Sequence, residues 1–220
     1  EFAIYSIGCL QIPFMGIVTI SVSRVAIVKI CELHQENDLG TIVQVLSNSF
    51  RKLALIFIPA FILLWAVAPY LITFLYTDAY TQSIPIFRTF IWILPLAAIL
   101  VEYIPRSLGD SKYVIKVNLI TLFVNVFLVV ALLYVFGIIG AAAGFVISRA
   151  IRKFLIINYL RKKLRINVNE LVPFYALIKI FLCSIFAVIP GVLVTVMIES
   201  NAAGSLSLET GCYVFFCAGI

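Results

Sequence analysis

Residues 114–160 read VIKVNLITLFVNVFLVVALLYVFGIIGAAAGFVISRAIRKFLIINYL, with no charged residue between Lys116 and Arg149. A membrane-crossing helix needs about 20 predominantly apolar residues, since each adds about 1.5 Å across a hydrocarbon core about 30 Å thick. This stretch holds two such lengths, and Gly137 and Gly140 fall where the first ends and the second begins. The second opens Gly140-Ala141-Ala142-Ala143-Gly144, a small-xxx-small pattern that permits close backbone approach between membrane helices. Tight helix packing is preferred here over a moving hinge.

The same length rule, applied outward, predicts spans at 2–23, 53–75, 84–104, 114–136, 138–160, 174–198 and 208–220. The last is cut short, and the chain opens on Glu1, so a fragment of a longer protein is expected, forming a single bundle over 1–220. Composition agrees: 64% of residues are apolar with a mean hydropathy of +1.17, against about 45–50% apolar residues in soluble domains. Backbone groups in lipid must bond internally, and the short alternating segments of a barrel are lacking, so the spans are read as helices. The predicted fold class is all-α, a polytopic transmembrane bundle. No basic start with a cleavage site, as in a signal peptide, opens the chain.

Loop charge gives the orientation, because short cytoplasmic loops are enriched in Lys and Arg. Segments 24–52, 105–116 and 161–172 carry most of the cations, among them Arg24, Arg51, Lys52, Lys112, Lys116, Arg161, Lys162 and Lys163. The opposite loops offer only Arg88. The basic segments are therefore assigned to the inside and the first residue to the outside. The net charge of +6 follows largely from this asymmetry and does not point to nucleic acid.

Ahead of the second span, Leu39, Ile42, Val43, Leu46 and Phe50 recur at helical spacing after Asp38, a capping residue. An interfacial helix and an N-terminal extension of the second span both fit, with the extension preferred. Pro59, Pro69, Pro95 and Pro190 lie inside or near span ends, where they kink helices.

Enzyme chemistry has no foothold. Cys9, Cys31, Cys183, Cys212 and Cys217 match no zinc or redox spacing, His34 stands alone, and no phosphate-cradling loop or nucleophile elbow occurs. Neither a cofactor nor a metal is implied.

Function is sought instead in ionisable residues inside apolar runs, which by default mark a cavity, a pathway or a pair. Arg149 lies eleven residues past Ile138, about 16 Å along a helix. Arg152 and Lys153 follow on the same face, giving a cationic stripe into a cavity or, alternatively, side chains snorkelling to headgroups. Lys179 and Arg88 are further candidates for a substrate-binding cation cluster. Glu102 and Arg106, four apart, are read as an ion pair, and Asn118 and Asn125, seven apart, as the lining of a polar cavity or a link between helices. Cations outnumber acids here, which suits an anionic, phosphate-bearing cargo.

Several segments, in order along the chain, resemble the polysaccharide-export and O-antigen flippase branch of the multidrug/oligosaccharidyl-lipid/polysaccharide superfamily. They are the opening Ile12-Pro13 to Arg24, the loop and helix through Asn48 and Lys52, and the turn Phe74-Leu75-Tyr76-Thr77-Asp78-Ala79-Tyr80. Arg106-Ser107-Leu108-Gly109-Asp110-Ser111-Lys112 and Gly137-Ile138-Ile139-Gly140-Ala141-Ala142 continue the series. Thr77 departs from the pattern, where relatives often carry glycine. The resemblance implies the C-terminal bundle of a two-bundle flippase in the cytoplasmic membrane. It also implies movement of an undecaprenyl-pyrophosphate-linked oligosaccharide, an O-antigen or related surface-polysaccharide repeat unit, by alternating access. Partners implied are the lipid-linked oligosaccharide, membrane lipids, and polysaccharide polymerase and chain-length machinery. Two other readings compete: a cation-coupled multidrug exporter, which calls for more intramembrane acids, and a membrane-embedded glycan polymerase or transferase, which calls for a long outer loop with catalytic residues.

Overall fold

Asp38 starts the longest uninterrupted helix of the chain, its side chain accepting hydrogen bonds from the Thr41 backbone N–H at 3.1 Å and the Thr41 hydroxyl at 2.5 Å. These bonds hold the exposed Asp38 carboxyl below its usual pKa, the hydroxyl contributing most. A depressed folded-state pKa stabilises the fold above the unfolded value of about 3.9, and the gain disappears as pH falls through the folded value. Thermal melts in detergent should therefore show an acid-side loss of stability that Asp38→Ala reduces.

The computed structural model describes residues 2–10, 13–36, 38–164 and 177–186. Every regular element among them is helical: α1 (Phe2–Gly8), α2 (Pro13–Gln35), α3 (Leu39–Tyr76), a 3-10 turn (Asp78–Ser83), α4 (Ile84–Phe90), α5 (Ile93–Ala97), α6 (Ile104–Ser107), α7 (Ser111–Leu164) and α8 (Leu177–Phe186). The stripe expected to extend the second span does so, since α3 is continuous from 39 to 76 and buries Ile42, Leu46, Phe50, Leu53 and Phe57. Gln44, Asn48 and Arg51 lie exposed on its other face. α3 packs back on α2, whose Ala26, Ile30 and Leu33 complete the main core with Val101, Ile104, Ile156 and Leu160.

α7 is a hairpin. Gly137 takes φ 63° and ψ −148°, splitting it into arms 111–136 and 138–164. The arms run antiparallel: Gly140 meets the Leu132 carbonyl, Gly144 meets Leu128, and the Ser148 hydroxyl donates to Asn125 Oδ1 at 3.0 Å. Farther down, the Tyr113 and Tyr159 rings stack at 3.8 Å, and Asp110 accepts from Tyr159 and pairs with Lys163. The small-residue pattern therefore serves close packing, as preferred from the sequence.

Among the described residues, two helical stretches, Gly40–Tyr76 and the hairpin Ser111–Lys163, are long and apolar enough to cross a membrane. Only 28% of the most apolar window of the first and none of that of the second is buried. Neither behaves as the core helix of a soluble protein. Phe123 and Phe127 on the first arm are 70% and 73% exposed, and Leu119, Leu122, Val126 and Val130 of the same arm are exposed as well.

Elsewhere the helices depart from the expected spans. The stretch 2–23 breaks after Gly8, where a Cβ would come within 2.5 Å of the Ile86 side chain, and α2 instead runs on to Gln35. The stretch 84–104 is divided among α4, α5 and the lead into α6, with Pro85 and Pro105 each at the start of a new helix and Pro95 within α5. Of the stretch 174–198 only Leu177–Phe186 is described, and 208–220 lies outside the described residues.

Thr77, which ends α3, takes φ 73° and ψ 167°. A β-branched residue there carries strain of about 1–3 kcal/mol that glycine does not. Thr77→Gly should raise the melting temperature, with a net gain of about 1 kcal/mol after the added freedom of the unfolded glycine is subtracted.

Candidate functional site

Residues 98–103, between α5 and α6, are not helical, and Leu100 and Val101 anchor them in the core. Irregular backbone at membrane depth needs partners for its polar groups, from protein or a wet cavity. Lys153, on the second arm of α7, provides one: its Nζ donates to the Ile99 carbonyl at 2.6 Å, while the side chain is almost wholly buried. Glu102, on the same irregular stretch, places its carboxylate 3.6 Å from Lys153 Nζ and 3.7 Å from Arg152 Nη2.

Two cavities adjoin this cluster. One of about 170 Å³ is lined by Glu102, Lys153, Arg149, Tyr103 and Thr19 among others. The other, of about 370 Å³, is more aromatic, with Phe87, Phe90 and Phe145 in its wall. Arg149, Thr19, Ile93, Ala97 and Tyr103 belong to both linings, so Arg149 sits where the chambers meet. Its guanidinium lies 5.1 Å from the centre of the Phe145 ring, which in turn stacks on Phe90. Among the described residues no carboxylate lies within 4 Å of it.

The structure thus brings Arg149, Arg152, Lys153 and Glu102 together. Glu102 pairs across to α7 rather than with Arg106, which is exposed at the end of α6. Arg88 lines neither chamber and stacks its guanidinium on Trp65 at 4.8 Å. Lys179 is exposed on α8, Asn118 is exposed on the first arm, and Asn125 is taken up by Ser148 in the hairpin seam. Thr19, Tyr103 and the Ile99 carbonyl were not singled out by the sequence. The prolines at 85, 95 and 105, spaced ten apart, were the available sign that the backbone breaks near them.

An apolar-faced helical bundle with interrupted helices over a cation-rich cavity is the arrangement of a membrane transporter. Residues 3–211 match the family model described as lipid II flippase MurJ, and the chain belongs to that family, within the same superfamily that the sequence segments resemble. No curated protein and no solved structure matches the chain. Membership makes it a membrane protein of a lipid-linked-precursor flippase family.

Proposed function

We propose that this chain forms the cation-lined part of a flippase that carries a lipid-linked saccharide pyrophosphate across the cytoplasmic membrane by alternating access. The observation that carries this reading is Arg149, a guanidinium with no carboxylate partner among the described residues, where the two cavities join. Phosphoryl oxygens match the forked donors of arginine, and the more aromatic chamber beside it suits the less polar parts of an amphipathic cargo. Cargo movement needs two arrangements of the helices and no covalent step, so the protein is read as a transporter and not an enzyme.

The family match favours lipid II, the peptidoglycan precursor, as cargo, in place of the O-antigen repeat suggested by the resembling segments. Both readings share the lipid pyrophosphate that Arg149 would hold. Orientation follows loop charge: the end where Cys31 meets Ser107 and Asp110 meets Lys163 faces the cytoplasm, and the first residue lies outside.

Depletion of the intact protein tests the reading. Lipid II should accumulate in the membrane and cell-wall synthesis stop, with both reversed by re-expression. Accumulation of a different lipid-linked glycan with loss of surface polysaccharide would transfer the cargo to the O-antigen class. Unchanged lipid intermediates with altered drug tolerance would overturn the flippase reading in favour of an exporter.

A further inference from the structure

Glu102 is the only carboxylate among the described residues that line either chamber. Its oxygens stand 3.6 and 3.7 Å from the two cations, well beyond the 2.7–2.9 Å or so of a charge-assisted hydrogen bond. The contact is Coulombic without being locked. Lys153 is positioned independently of it by the Ile99 carbonyl. Arg152 keeps a buried Nε with no hydrogen-bond partner, so its donor capacity is not used up by Glu102. The two partners also differ in rigidity, since Arg152 and Lys153 stand on a regular helical arm and Glu102 on the irregular stretch 98–103.

Arg149 and Lys153 line the smaller chamber, and Arg152 stands beside Glu102 outside either lining; cations so placed without a counter-charge would be costly when the cavity is empty and would hold a pyrophosphate too firmly to let it go. A carboxylate that neutralises them when empty and withdraws when cargo arrives relieves both difficulties. We infer that Glu102 is an exchangeable internal counter-anion, which neutralises Arg152 and Lys153 in the empty transporter and gives up Lys153, the one of the two that lines a chamber, to the phosphoryl oxygens of the cargo. Binding then costs the Glu102 contacts, and their return helps to expel the cargo on the other side. Glu102 acts on cargo through the cations it shares and is a positioning residue. This inference rests on the pyrophosphate reading above.

The test uses the intact protein in nanodiscs and in vesicles, with undecaprenyl pyrophosphate as the binding probe and the lipid-linked saccharide for transport. Glu102→Gln removes the competing charge and should bind the probe about tenfold more tightly, the carboxylate's attraction being partly screened. Its transport should show KM and kcat falling together, as release slows. Glu102→Asp keeps the charge but draws the carboxylate back by one methylene, and should shift both quantities the same way by a smaller factor. Unchanged or weaker probe binding in Glu102→Gln, or in Glu102→Asp if the glutamine variant does not fold, overturns the exchange while leaving the flippase reading intact. A lower melting temperature with unchanged affinity has the same meaning, since it reduces Glu102 to a structural tie. Failure of the wild type to bind the probe, with Arg149→Ala behaving no differently, overturns the pyrophosphate reading itself.

Discussion

Arg149→Ala should abolish transport by the intact protein while leaving its membrane insertion and yield unchanged. Losing one partner of a desolvated charge pair costs about 2 kcal/mol or more, about 30-fold in cargo affinity at that lower limit. The fold is expected to tolerate the change because Arg149 joins no ion pair among the described residues and its guanidinium lies over the Phe145 ring, a contact worth about 0.5–2 kcal/mol. Arg149→Lys keeps the charge but loses the fork and should be intermediate. Arg88→Ala provides the contrast, since Arg88 stacks on Trp65 away from both chambers and should leave transport intact. Radiolabelled cargo in vesicles, with insertion followed by protease protection, reads all three. Normal transport by Arg149→Ala would mean that its side chain only snorkels toward headgroups.

How far the sequence reached depends on which interactions are local. The Asp38 cap and the 42–46–50 stripe lie within a few turns of one helix, so their periodicity was legible and favoured the extension that α3 shows over an interfacial helix. The grouping of Arg149, Arg152 and Lys153 was legible for the same reason: spacings of three and four place side chains on one face. Glu102 illustrates what was not legible. Its local partner Arg106 satisfied the spacing rule, but residues 98–103 leave the helix, and the carboxylate meets cations some fifty positions away. Apolarity alone filled 84–104 with a span, because hydropathy reports what solvent a segment suits and not whether its backbone runs unbroken. Asn118 and Asn125 share a face by count, yet only Asn125 falls where the second arm brings a hydroxyl, Ser148, within reach. At Thr77 the departure from the glycine implied by the resemblance acquires a physical meaning, since its positive φ is one that glycine adopts without strain.

Gly140→Ala should disrupt the α7 hairpin and, through it, the cation cluster. The added Cβ would lie 2.0 Å from the Leu132 carbonyl oxygen and 2.6 Å from its carbon, both backbone atoms of the opposing arm that no rotamer change can move. Relief requires the arms to separate at their closest point, a cost of about 3 kcal/mol, at the upper end of ordinary overpacking. Gly144→Ala is milder, because its Cβ would stand 3.0 Å from Leu128 backbone atoms and a few tenths of an ångström of adjustment suffices; about 1 kcal/mol is expected, the lower end of the same range. The order of the two variants is the informative part. Simple reduction of helix flexibility would stabilise both, since alanine is the better helix former, whereas steric contact at the seam destabilises Gly140→Ala far more than Gly144→Ala. Thermal melts of the detergent-solubilised protein distinguish these outcomes. Transport should fall with the first variant, because a shift of the second arm displaces Arg149, which lies nine residues beyond Gly140 on the same helical arm. Equal melting temperatures for wild type and Gly140→Ala would show that the arms do not approach as closely as Gly140 and Leu132 indicate.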